Sequence, residues 1–482
     1  MQKAGPNLAV QGGKKGTMNN IETTRRPSAQ APRFVTGSLL RHILTMTGAG
    51  ALGLMAIFVG DLANIYFLSR LNDEAIVAAV GYASSILFFA TSVGIGLSIA
   101  ATSLVAPALG AGRRMRARRL ATNAHLLALI ASVLIAVVLW FAIEPLLELI
   151  GASGRTLDLA AVYLRILVPT LPVLALAITS SAVLRSAGDA RRAMFVTLFG
   201  AIVNTILDLI LIVHFGFGIE GAAVSSLIAR LVMMGIGFYG VMIVHDLLSR
   251  PKSATLMQDA PAFLQIAAPA VLTNIAPAIG NGYVTYAIAA YGDAAVAAWA
   301  ILARLTPVAF GAIYALSGAV GPIIGQNFGA RSPQRMRDVF TFSLLTMAAF
   351  TGIAWFGLGV LANEIAAVFN AGGEARELIV FFCRWLSPLF VFMGALFVAN
   401  AAFNTLGRPH FSTMLNWGRA TLGTVPFVLL GGRFFGAPGV LAGNMVGGVA
   451  FGIVAIFSAY KLIDAIGETF KPPENPVGHE VV

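Results

Sequence analysis

"GAGRRMRARR", residues 110–119, closes one long apolar run and opens the next, and it returns in altered form as "GARSPQRMRD" at residues 329–338. The two copies lie 219 residues apart. "RSAGDARRAM" (185–194) and "NTLGRPHFSTM" (404–414) repeat that spacing around Gly188 and Gly407, and "FGIEGAA" (217–223) answers "FGAPGVL" (435–441) at 218. Three matches at spacings of 218 and 219 mark a duplicated unit.

The surrounding sequence says what is duplicated. Apolar stretches recur from about Ile43 to about Ile463, each long enough to cross a hydrocarbon core of ~30 Å as a helix. Breaks between them give twelve spans, near 41–69, 76–109, 121–143, 157–184, 192–214, 219–244, 262–290, 294–328, 339–362, 377–405, 411–432 and 438–461. The Ala, Leu, Ile and Gly runs lack the period-two alternation of a membrane barrel. The fold class is therefore an all-α polytopic membrane protein: twelve transmembrane helices in two six-helix lobes. Six is even, so both copies enter the membrane from the same side and the repeat is parallel, about an axis along the membrane normal. The expected segments are a disordered cytoplasmic tail (1–36), an N-terminal lobe (37–246), a cytoplasmic linker (247–261), a C-terminal lobe (262–463) and a second cytoplasmic tail (464–482).

Composition agrees with this. Of 482 residues 58% are hydrophobic and 11% charged, against roughly 25% charged in an average soluble domain. The net charge of +11 does not call for a nucleic-acid partner, because the basic residues cluster between spans. Arg113, Arg114, Arg116, Arg118 and Arg119, then Arg185, Arg191 and Arg192, then Arg250 and Lys252, and Arg331, Arg335, Arg337 and Arg408 all fall in breaks on one side. The opposite breaks hold only Arg70, Arg155, Arg376 and Arg433. The positive-inside rule then puts both termini in the cytoplasm, with the chain in the inner (plasma) membrane. The early lysines are not followed by a signal-peptide core and cleavage site. The single cysteine, Cys383, rules out a disulfide framework and a cysteine metal site; no metal or organic cofactor is expected.

Nearly all 21 acidic residues fall in breaks, tails or span ends. Asp61, in span 1, and Asp208, in span 5, do not. An acid at the centre of a membrane helix costs roughly 2.5–3.5 kcal/mol on insertion scales, which makes these two the functional candidates. Both lie in the outer half of the N-terminal lobe, and Asn204 shares the helical face of Asp208. A polar pocket of Asp61, Asn64, Asn204, Asp208 and Ser226 is geometrically allowed; its structural alternative is an interhelical hydrogen-bond network. Two carboxylates in such a pocket can share and exchange a proton, at about 1.4 kcal/mol per pH unit plus about 2.3 kcal/mol per charge per 100 mV. That scale suits secondary transport. The second lobe carries no acid at depth, but Asn274, Asn281, Tyr283, Gln326 and Asn400 are polar candidates for a substrate cleft. Arg165, Arg230, Arg304, Arg384 and Arg419 are assigned to structure, several being near enough to span ends to snorkel.

At this point a resemblance enters. "AVLRSAGDARRAMFVTLFGAIVNTILDLILIVHFGFGIEGAAVSSLIA" (182–229) resembles the most recognisable segment of the multidrug and toxic compound extrusion (MATE) transporters: an R-x-x-G-D loop, an N-x-x-x-D helix, then G-x-x-G-A-A. "PIIGQNFGARSPQRMRD", "LVAPALGAGRRMRAR" and "NDEAIVAAVGYA" resemble further family segments, and the likeness spans about residues 40–462. It implies a twelve-helix, two-lobed antiporter exporting cationic or amphipathic compounds in exchange for protons or sodium. It maps the family's N-x-x-x-D pair onto Asn204 and Asp208 and its span 6 hydroxyl onto Ser226. The family's span 1 acid falls near Asn64 or Ile65, so either Asp61 acts from one turn earlier or the counterpart is the neutral Asn64. The family's early span 1 proline is absent. Sodium-coupled members carry a span 7 acid where this chain has Pro277, which favours protons over sodium.

The expected function is proton-coupled efflux of cationic or amphipathic small molecules by alternating access, by a monomer in the lipid bilayer. The alternatives are sodium coupling, or a flippase for a lipid-linked or conjugated metabolite, which basic residues lining the cleft would favour. A membrane enzyme using the two acids is disfavoured: no histidine stands beside them in sequence and no metal-ligand spacing appears.

Overall fold

Long apolar runs with few charges form helices here because every backbone polar group in a bilayer must be satisfied within its own segment. The computed structural model describes residues 32–71 and 73–470; the two expected tails lie largely outside these. The first lobe holds α1 (Leu39–Ser69), α2 (Glu74–Gly110), α3 (Arg114–Leu149), α4 (Gly154–Leu167), α5 (Leu171–Ser186), α6 (Ala190–Asp208) and α7 (Gly218–Phe238). The second holds α8 (Ser253–Ala289), α9 (Asp293–Ala309), α10 (Gly311–Gly329), α11 (Pro333–Val360), α12 (Ala362–Val368), α13 (Gly373–Phe381), α14 (Phe390–Thr405), α15 (Pro409–Gly418) and α16 (Val425–Thr469). Helix α8 begins at Ser253, well inside the expected 247–261 linker, because Arg119 and Asn123 of α3 bind Asp259 at 3.0 and 2.7 Å and fix that turn.

The duplication extends to backbone detail. Helices starting at Glu74, Arg114, Gly154, Leu171 and Ala190 have counterparts starting at Asp293, Pro333, Gly373, Phe390 and Pro409, each 219 residues on. The 3₁₀ turn Val168–Thr170, holding Pro169, recurs as Ser387–Leu389 with Pro388. Helix ends repeat too: Arg113 N bonds Ala108 O and Ser332 N bonds Asn327 O, at 2.9 and 3.0 Å, the six-to-one closure of a helix C-terminus.

Among the described residues, ten stretches are long and apolar enough to cross a membrane, and a bent pair, α9 and α10, at 49°, adds one more. The bend falls at Phe310, which stacks on Phe390 at 4.0 Å just after Pro307 removes a backbone donor. In the first lobe α2 runs unbroken through the matching position. The last stretch, Pro409–Thr469, is two crossings. Gly436, at φ 65° and ψ −148°, reverses the chain inside α16. The two limbs then meet backbone to backbone: a Cβ on Gly439, Gly443 or Gly447 would lie 1.9, 2.2 or 1.5 Å from the carbonyl oxygens of Gly431, Phe427 and Gly423. Counting the bent pair as one span and this hairpin as two gives the twelve expected. Large apolar side chains such as Leu134, Val138 and Phe141 are left exposed on one face of α3, as lipid contact requires.

The lobes meet along α2 and α10, and the contact is self-complementary. A Cβ on Gly110 would strike Gln326 O at 1.9 Å, and one on Gly329 would strike Pro107 O at 1.9 Å. Gln326 is the repeat counterpart of Pro107, as Gly329 is of Gly110. Further along, Gly325 faces its own counterpart Ala106, and Gly321 faces Thr102, so the pseudo-two-fold axis passes between these helices. They seal the arginine-rich end of the bundle. Residues 33–34 cross the same end: Phe34 is buried, its N–H donates to Gln326 Oε1 at 2.8 Å, and its carbonyl accepts from Asn327 and Arg335. Arg33 reaches Gly188 O in the other lobe.

Asp189 anchors this end of the first lobe. It caps α6 through Arg192 N at 3.0 Å and binds Arg192 and His245 at 2.6 and 2.8 Å. Burial pushes its carboxyl up, but the hydrogen bonds from His245 and Arg192 outweigh this and hold it well below the usual carboxylate range. A depressed carboxyl stabilises the fold above its unfolded value, about 3.9, and loses that contribution as the pH falls further. Asp189→Asn is therefore expected to lower the melting temperature in detergent at pH 7, with the difference shrinking below about pH 3.9. A second prediction concerns the seal. With Cys383→Ser as background, Thr102→Cys with Gly321→Cys should cross-link on mild oxidation, since a Cβ at 321 lies 3.6 Å from Thr102 Cγ2. Reduction should release the cross-link; failure to cross-link would contradict the seal.

Candidate functional site

Small residues on α1 place the polar side chains of α6 within reach. A Cβ on Gly53 would lie 2.2 Å from Thr197 Oγ1, and one on Gly60 3.4 Å from Thr205 Oγ1, so the two parallel helices run close together. A turn further on, Asn64 Nδ2 donates to Asp208 Oδ2 at 2.8 Å. Asn204, one turn before Asp208 on α6, donates to the same oxygen at 2.7 Å. The α6–α7 hairpin returns Ser225, whose hydroxyl donates to Asp208 Oδ1. Asp208 is completely buried. Two amide donors and a hydroxyl face it, an arrangement that suits a carboxylate anion; the Ser225 hydroxyl also lies 2.9 Å from Ala222 O, so its single proton can turn to either oxygen.

Asn64, Asn204 and Asp208 thus come together as the sequence suggested, and two other expectations are corrected. The hydroxyl on Asp208 is that of Ser225; Ser226, about 100° further round α7, lies instead within reach of the buried Tyr163 hydroxyl of α4. Asp61 lies on an exposed part of α1, within electrostatic range of Asp208 but outside this hydrogen-bonded cluster. Asn64, three residues on, is the α1 side chain that touches Asp208. Arg230 closes the neighbourhood by bonding Leu167 O at 3.1 Å and Thr170 Oγ1.

A separate cavity of about 580 Å³ lies between the lobes. Asn274, Asn281 and Asn400 line it, as the cleft reading expected. Tyr283 and Gln326 do not. On α8 the cavity face is set by Asn274, Pro277 and Asn281, spaced three and four, and Tyr283 two residues on packs against the second-lobe core. Gln326 belongs to the seal, where its Nε2 donates to Ser186 O at 2.7 Å. Sequence reasoning missed the two charged lining residues, Arg185 and Arg419. One was hidden in a basic break and the other was assigned to packing; the signal available was that Arg419 shares its lobe with no deep acid.

Two lobes about a parallel pseudo-axis, a cleft between them and a buried carboxylate in one lobe define a polytopic transporter. The MatE family model matches residues 50–210 and 269–429; the chain belongs to this family, and the two matches stand 219 residues apart. Among relatives, a protein of Shewanella oneidensis named FAD transporter is 28% identical over 437 residues, covering 89% of this chain and 96% of its own. The multidrug export protein MepA of Staphylococcus saprophyticus is 21% identical, covering 90% and 96%. Among solved structures, the Vibrio cholerae MATE transporter VcmN is 25% identical with a TM-score of 0.85, covering 89% of this chain and 98% of its own. A MOP superfamily transporter from Pyrococcus furiosus shares the fold at 22% identity and a TM-score of 0.84, over 91% and 98%.

The Asp208 cluster makes a discriminating prediction. Ser225→Ala removes a buried hydrogen bond to a charged group, a loss of about 1.5–3 kcal/mol, and should lower the melting temperature in detergent near neutral pH. Ser226→Ala should change it by much less. Equal effects would contradict the observed geometry.

Proposed function

We propose that the protein is a proton-coupled secondary exporter of amphipathic small molecules, working by alternating access. The observation that carries this reading is the fully buried Asp208 with its three partners. A carboxylate so placed is an expense that packing alone does not require. Taking up a proton converts one carboxylate oxygen into a donor that needs an acceptor. Ser225 Oγ can supply one by turning its own proton to Ala222 O, and Asn64 and Asn204 by turning the amide so that its oxygen faces Asp208. Because Asn64 belongs to α1, that exchange alters how α1 sits on α6. Asp61, exposed on the same helix, serves as the relay to the surrounding medium.

Direction follows from the seal. The arginine-rich end closed by α2, α10 and Phe34 is read as cytoplasmic by the positive-inside rule, with both termini there and the chain in the plasma membrane. The described state is then the outward-facing one, and protonation from outside releases cargo there. Protons are preferred to sodium because Pro277 stands where a second-lobe acid would serve sodium. Relatives differ in the cargo their names carry, multidrug export in one and FAD in another. The chain is proposed to work as a monomer.

In proteoliposomes, an imposed pH gradient should drive export by the native protein and an imposed sodium gradient should not. Asp208→Asn should lower pH-driven export at least tenfold. Asp61→Asn should slow it while leaving the final gradient intact. Undiminished pH-driven export by Asp208→Asn would overturn the coupling assignment.

A further inference from the structure

Among the described residues, the central cavity's charged lining consists of two arginines, Arg185 of the first lobe and Arg419 of the second, and no aspartate or glutamate. Neither arginine takes part in any ion pair among the described residues. Arg419 is only 5% exposed, and its Nε is buried with no partner. Arg185 bonds Ser181 Oγ at 2.8 Å through one terminal nitrogen, and its Nε is also buried and unpartnered. A guanidinium carries five donors and no acceptor. Removing one from water without an acceptor is among the costlier arrangements a fold can hold. The repeat does not account for the pair: the counterpart of Arg185 is Asn404 and that of Arg419 is Gly200.

We propose that Arg185 and Arg419 form an anion clamp and that the cargo is an organic molecule bearing phosphate groups on a planar apolar body. This rests on the transporter reading above and specifies its cargo. Guanidinium forks match phosphate oxygens two at a time. A singly charged cation entering this lining would meet two like charges and no counter-charge, so the cationic cargo expected from sequence does not fit the cleft. The apolar body has a place to lie: Tyr314 and Phe397, 5.2 Å apart, line the cavity with Phe390 and Trp299. With one arginine in each lobe, a phosphate-bearing cargo is held fully only while both lobes face it. Rocking the lobes apart weakens its hold.

The test is equilibrium binding to purified protein in nanodiscs, read without any proton gradient and so independent of the coupling assigned to Asp208. FAD is compared with riboflavin, which keeps the ring system but has no phosphate, and with ethidium, an aromatic cation. FAD should bind at least tenfold more tightly than either. Arg185→Gln and Arg419→Gln should each weaken FAD at least tenfold and leave riboflavin unchanged. Arg419→Lys, which keeps the charge and loses the fork, guards against misfolding and should fall between. Nanodiscs containing phosphatidic acid separate a lipid-borne phosphate from a soluble one: if that lipid displaces FAD through the same arginines, the clamp stands with a lipid-linked cargo. Equal binding of FAD and riboflavin, tighter binding of ethidium, or arginine variants that bind FAD like the native protein would overturn the proposal.

Discussion

A polar group inside a bilayer has no water to turn to, so it must find its partner within the protein or do without. That constraint organises this molecule. It makes the spans helical, and it brings α16 back on itself through glycines so close that backbones touch. It also makes the few polar exceptions informative. Asp208 finds three partners, while the guanidinium of Arg419 donates to no described group and that of Arg185 to only one hydroxyl.

These two kinds of exception lie in different places and have different consequences. The Asp208 cluster is enclosed between α1, α6 and α7 in one lobe, away from the cleft, so coupling and cargo need not compete for the same side chains. Its partner Asn64 stands on α1, and α1 also contributes Met46, Gly50 and Leu54 to the cavity wall. Helix α1 thus links the hydrogen bonds at Asp208 to the cavity wall. The pseudo-symmetric contact of α2 with α10 closes one end while the cleft exists between the lobes, as the proposed alternating access requires.

Much of this was legible in the sequence. The spacing of 219 between Gly110 and Gly329 already stated the duplication, and the helix starts and turn glycines obey it. Asp208 and Asn204 were legible because an acid at depth is rare and i, i+4 neighbours share a face. What escaped needed helix phase. Ser225 and Ser226 are adjacent in sequence but point about 100° apart, and only packing decides which meets Asp208. Tyr283 and Asn281 differ in the same way. Gln326 was marked as polar at depth, yet its depth is that of the seal. Arg419 was set aside because an arginine near a span end usually snorkels; its place on the cleft depends on how the turn after α15 packs against α8 and α16, which no local pattern announces.

The central claim is that a proton taken up at Asp208 is exchanged for cargo. The most direct measurement is proton release from the purified protein in weakly buffered solution on addition of a transported substrate. The native protein should release protons in proportion to bound substrate, and Asp208→Asn should bind substrate and release none. Equal release from both would contradict the account.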